Sequence, residues 1–69
     1  MSTVRVVVNG ETHEWDGPLS VDDLLGRLDL DRRGLAVALN GEVVPRSTWA
    51  DRDVADGDHV EILTIAQGG

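Results

Sequence analysis

Val21-Asp22-Asp23-Leu24-Leu25-Gly26-Arg27-Leu28 decides the fold. Val21, Leu24, Leu25 and Leu28 recur at helical spacing, so one side of a helix is apolar and must be covered. Ser20, just ahead, is a helix N-cap. Asp22 and Asp23 fall in the first turn, where the helix dipole favours negative charge. Gly26 costs this helix about 1 kcal/mol relative to alanine, which fits a place of close packing or one near the fraying end. The helix is expected to stop by Asp29 to Asp31, with Gly34 as the exit from the connection.

On the N-terminal side, Thr3 to Val8 is rich in β-branched residues and reads as a strand, with Val4, Val6 and Val8 on one face and Arg5 and Val7 on the other. Asn9-Gly10 is a type I′ hairpin signal, because both residues accept positive φ. Glu11 to Trp15 returns as a second strand until Asp16-Gly17-Pro18 ends it, proline having no amide to give a sheet. On the C-terminal side, Leu35 to Leu39 is a third strand, Asn40-Gly41 a second hairpin turn, and Glu42-Val43-Val44 a short fourth strand closed by Pro45. Ser47 is expected to cap a brief helical turn through Trp49. Asp56-Gly57-Asp58 turns the chain into a last strand, His59 to Ala66.

Hairpin, helix, hairpin, strand is most economically packed as one helix across one mixed sheet. The expected fold class is α+β, a β-grasp with a mixed sheet of four to five strands over residues 1–66, followed by a flexible tail at 67–69. The core face then takes Val4, Val6, Val8, the helical stripe, Leu35, Val37, Leu39, Val60, Ile62 and Thr64. Leu63 and Ile65 face outward, and Val7, Ala36 and Ala38 join them on the open side of the sheet. An apolar patch there, near the end of the chain, suits partner docking.

Composition narrows the function. The chain has 69 residues, a formal net charge of −7, no cysteine, and six basic residues that are all arginine. A chain this short hides only about 60% of its unfolded surface, too little to close a deep enzyme pocket around a substrate. The absence of cysteine excludes disulfides, thiol nucleophiles and cysteine-bound metal. The acidic balance disfavours nucleic acid and favours partners with basic grooves. No apolar run approaches the roughly 18 residues of a membrane span. No signal peptide is read at the start, so a cytoplasmic location is expected. Asp51, Asp53, Asp56, Asp58 and Glu61 mimic a calcium loop but miss its spacing, since Ala55 stands where a ligand is required. They read as turn formers and a solvated acidic face that steers toward a basic partner. His13 and His59 make a poor zinc site even if they meet across the sheet, so no metal is expected. Trp15 and Trp49 read as covers for the edges of the core, and Arg32-Arg33 is too short a run for a nucleic-acid patch.

The final residues carry the chemistry. A dense strand runs into Ala66-Gln67-Gly68-Gly69. Two glycines without Cβ atoms enter a channel too narrow for other residues, and four extended residues reach roughly 13–14 Å. A partner can therefore keep the body outside and receive only the tip, with Gln67 and Gly68 threading the channel. The α-carboxyl of Gly69, with a reference pKa of about 3.3–3.7, is ionised and a poor electrophile. To accept sulfur or an amine it needs a leaving group, commonly adenylate from ATP. This chain has no phosphate loop and no lysine to perform that step. It is read as a substrate without a cofactor of its own, not as an enzyme.

Asp56-Gly57-Asp58, Val60-Glu61-Ile62 and Gly68-Gly69 resemble the C-terminal signature of ubiquitin-like sulfur carriers. Val44-Pro45-Arg46 with Trp49 narrows the resemblance to the ThiS-type carriers of thiamine biosynthesis. The resemblance covers essentially the whole chain. It implies that an E1-like adenylyltransferase activates Gly69 with ATP, that a sulfur donor such as a cysteine persulfide converts it to a thiocarboxylate, and that thiazole synthase receives the sulfur. A carrier for molybdopterin or cysteine synthesis, a protein modifier joined through Gly69 to lysines, and an inert interaction domain remain the alternatives.

Overall fold

The computed structural model describes residues 3–65. Ala66, Gln67, Gly68 and Gly69, on which the tail and the chemistry were placed, lie outside the described residues. Seven strands and one helix follow in order: β1 (Thr3–Val8), β2 (Glu11–Asp16), β3 (Leu19–Ser20), α1 (Val21–Arg27), β4 (Leu35–Leu39), β5 (Glu42–Val43), β6 (Asp53–Val54) and β7 (His59–Thr64). The main sheet runs β2-β1-β7-β4-β5, and β3 pairs with β6 in a separate two-stranded ribbon. β1 and β7 are parallel; the other neighbours are antiparallel. This is the expected mixed sheet carrying one helix.

Local chemistry sets the elements. Asn9 and Gly10 have φ of 49° and 85°, and Asn40 and Gly41 have 50° and 86°, as both hairpin turns require. The Ser20 hydroxyl accepts from the Asp23 N–H at 3.0 Å, and the Asp23 carboxylate accepts from the Ser20 N–H at 3.0 Å, forming a capping box. The bonds from Ser20, backbone first and hydroxyl second, hold the Asp23 carboxyl below its ordinary pKa. Val21, Leu24 and Leu25 are wholly buried against Val6, Val37 and Val60 of the sheet's inner face.

The helix has stopped by Asp29 as expected: it runs to Arg27 with Leu28 as its C-cap, and Asp29 turns left-handed at φ 58°. Other expectations are corrected. The turn before Trp49 spans Arg46–Thr48 and is entered from Pro45, with no side-chain cap; Ser47 sits inside it. β7 ends at Thr64, where Ile65 still donates its N–H to Gly34 at 2.6 Å. Thr64, assigned to the core, is exposed, and Leu35, Ile62 and Leu28 are half-buried. They share a place: all four line one open groove beside β7, beyond the point where β1 turns back at Asn9-Gly10. The opposite end gains Leu19, Val44 and Val54, which the ribbon β3-β6 and the loop after β5 fold onto the core.

Candidate functional site

β7 holds the root of the tail, and its neighbours fasten it on both sides. The Asn9 carboxamide donates to the Ile62 carbonyl at 3.1 Å and accepts the Ile62 N–H at 2.8 Å. The Asn40 side-chain oxygen accepts the His59 N–H at 2.9 Å, and its backbone N–H reaches the His59 carbonyl at 2.7 Å. Both asparagines therefore serve twice, once as left-handed turn residues and once as strand substitutes. Asp56 and Asp58 act locally. Asp56 accepts the Arg5 N–H at 2.8 Å, and Asp58 accepts the Ala55 N–H at 2.8 Å and the Asn40 side-chain amide at 3.0 Å. The acidic loop thus builds the turn into β7, and among the described residues no group of three or more ligating side chains comes together.

The open face of the sheet is built by register. Ala36 lies opposite Leu63, and Ala38 lies opposite both Glu61 on β7 and Val43 on β5. Leu63 is 63% and Ile65 52% exposed. Ala36 and Ala38 are half-buried beneath them, and small enough to leave a shallow surface. Val7, placed in the same set, lies level with His59. It stands four residues from Leu63, roughly 13 Å along the strand, with Glu61 between. The structure brings Leu63, Ile65 and Ala36 together at the end of β7, keeps Ala38 beside them, and leaves Val7 apart. Val43, 77% exposed, was missed. Its signal was available in Glu42-Val43-Val44: one of two adjacent valines in a strand must face out.

The aromatic and basic residues are occupied elsewhere. His13 pairs with Val6 on the helix side and stacks on Trp15 at 4.9 Å, whereas His59 pairs with Val7 on the open side, so the two histidines never meet. Trp49 is buried and donates its indole N–H to the Val44 carbonyl at 2.9 Å, with the Arg46 guanidinium 5.1 Å from its ring centre. Arg32 binds Asp22 at 2.7 Å, and Arg33 binds Asp31 at 2.9 Å. The hydrogen bonds from Arg33 lower the Asp31 carboxyl from 3.8 to about 2. These arginines are neutralised in place and form no free basic patch.

A sequence model of the ThiS family matches residues 6–69. The chain belongs to the ThiS family. The sulfur carrier protein ThiS of Escherichia coli (strain K12) is 32% identical over 66 residues, covering 96% of this chain and 100% of that protein. The crystal structure of a ThiS thiamine biosynthesis protein from Geobacter metallireducens superposes with a TM-score of 0.82 at 38% identity, covering 96% of this chain and 100% of that one. A thiazole synthase of Paramagnetospirillum magneticum (strain AMB-1) is 41% identical over 66 residues; these are 96% of this chain but 20% of the relative, so the chain spans one fifth of that protein. The family places this chain among the sulfur carriers of thiamine biosynthesis. No helix among the described residues is long and apolar enough to cross a membrane.

Proposed function

We propose that the Gly69 carboxylate is the group that carries sulfur, and that other proteins perform every chemical step on it. An E1-like adenylyltransferase binds the body and receives the tail. The carboxylate oxygen attacks the α-phosphorus of ATP, and pyrophosphate leaves. A sulfur nucleophile then attacks the acyl carbon, and AMP departs with one carboxyl oxygen. With a cysteine persulfide as donor, the resulting acyl disulfide is opened by a thiol, which releases the thiocarboxylate. Thiazole synthase takes up that sulfur. The protein is a cosubstrate of cytoplasmic enzymes and not itself a catalyst.

The observation that carries this reading is that the family match runs to Gly69, so Gly68-Gly69 falls within the family's pattern. The absence of lysine and of a phosphate loop agrees with chemistry supplied from outside. The thiazole synthase relative supports the choice of acceptor, since a segment like this chain lies within it. Leu63, Ile65 and Ala36 supply docking contacts beside the tail, with Ala38 and Val43 extending them. The net charge of −7 steers the carrier toward basic surfaces. Intact mass measurement after incubation with ATP, a sulfur source and the E1-like enzyme should show one oxygen replaced by sulfur at Gly69. Adding or deleting one terminal glycine should abolish it. Isopeptide adducts on other proteins, or an unchanged mass, would overturn the reading.

A further inference from the structure

β7 outlasts the strand beside it. β1 pairs with β7 only at Val7–His59 and Val8–Val60, and the chain then turns back. Asn9 fills the next position with its side chain, which bonds both the N–H and the carbonyl of Ile62. The main-chain groups of Ile62 therefore point toward β1. Those of the odd-numbered residues point toward β4, as the bonds of His59 to Asn40 and of Ile65 to Gly34 require. By this alternation the N–H and carbonyl of Thr64 point to the β1 side. Among the described residues, no strand lies there. On the helix side the same gap is an open groove of about 290 Å³, whose lining includes Leu28, Leu30, Leu35, Ile62, Glu11 and Thr64.

We propose that this notch receives an extended segment of the adenylating enzyme, which adds to the sheet as a strand beside Thr64. The proposal rests on the function given above and deepens it by naming a contact. The added strand continues the line that β1 abandons at Asn9. Its main chain satisfies Thr64, and alternate side chains fall to opposite faces. One of them is apolar and fills the groove; the next lies over Leu63 on the open face. A basic residue beside the apolar one meets Glu11, in keeping with the acidic charge of the chain. The site is continuous with the docking patch, because Thr64 stands between Leu63 and Ile65. An enzyme gripping here holds the end of β7, just before the residues it must thread, which fixes the direction of entry.

Amide exchange of the intact protein, read at Thr64 alone and when saturated with the adenylating enzyme, tests this directly. The Thr64 N–H should exchange rapidly in the free protein and at least tenfold more slowly in the complex; equal rates would overturn the proposal. Thr64→Pro removes that donor without touching the β4 ladder. It should unfold near the wild-type midpoint and bind the enzyme about tenfold more weakly, the weight of roughly one hydrogen bond and its strand geometry. Wild-type affinity in a folded Thr64→Pro would also overturn it. Protection in the free protein that vanishes on dilution would assign the notch to a second copy of this chain, and the proposal would fall. If the wild-type chain is never adenylated, the underlying function is wrong and this contact goes with it; adenylation without Thr64 protection rejects the contact alone.

Discussion

The two halves of β7 share one strand and have opposite fates. From His59 to Ile62 the strand is central: β1 and β4 flank it, α1 covers Val60, and Asn9 and Asn40 bind its main chain. Leu63 and Thr64 have, among the described residues, only β4 beside them, and both side chains are exposed, as is Ile65 just beyond the strand. The first half spends its apolar residues on folding. The second half keeps them available. On the proposed function a carrier needs both: a body rigid enough to be recognised, and a strand end left open for a partner.

Substitutions in the two halves should separate these roles. Val60→Ala removes methyl groups that are 1% exposed and should cost about 2 kcal/mol in denaturant unfolding. Leu63→Ala, three residues on, should change stability by no more than about 0.5 kcal/mol. Comparable losses at both positions would erase the distinction. Asn9→Gly gives the next largest effect. Glycine keeps the left-handed turn at φ 49° but deletes both bonds to Ile62, so about 1–2 kcal/mol of stability should disappear. Thermal unfolding of Asn9→Gly beside Asn40→Gly would show which asparagine fastens the strand more firmly.

The body was legible in the sequence because its determinants are local. Asn9-Gly10 and Asn40-Gly41 specify their own turns, and the Ser20 to Asp23 cap and the Val21 to Leu25 stripe specify the helix. What escaped was set by distant residues. Leu19 and Val54 form two-residue strands too short to show a period. The Asn9 bond to Ile62 joins residues 53 apart. Thr64 has a core residue's parity and a surface residue's exposure, because its cover depends on where the first hairpin happens to turn back. Alternation along a strand reports which face a side chain takes; it does not report how far the opposite layer extends.

The docking role of the uncovered half is tested by Leu63→Asp, with Ile65→Asp as its companion. Each should leave the unfolding midpoint within about 0.5 kcal/mol of wild type and weaken adenylation, read as a raised KM for the carrier. Val7→Asp at the far end of the open face should raise that KM less, since Glu61 and about 13 Å of strand separate it from Leu63. Equal losses at Val7 and Leu63 would extend the docking surface over the whole face.

The smallest effect sharpens the comparison from the side of the helix. Asp23 and Asp31 both have carboxyls held below their ordinary value of 3.8, by the Ser20 bonds and the Arg33 bonds respectively, and Asp31 falls to about 2. A carboxyl with a lower pKa in the folded protein binds fewer protons there than in the unfolded chain. Its stabilisation is therefore complete above about pH 4 and fades as pH falls through the folded value, near 2 for Asp31. Both groups are solvent-exposed, so the slope is shallow and salt reduces it. Asp31→Asn should flatten the acid limb of stability between pH 4 and 2 and leave neutral pH almost unchanged. Among the described residues, the bonds that clasp Ile62 come from the Asn9 carboxamide, which does not titrate, whereas the Asn40 clasp at His59 is itself held by the Asp58 carboxylate. Amide exchange at Ile62 should consequently stay slow as pH falls below about 4 while the first turn of α1 begins to loosen, and the reverse order would place the firmer clasp in the wrong half of the molecule.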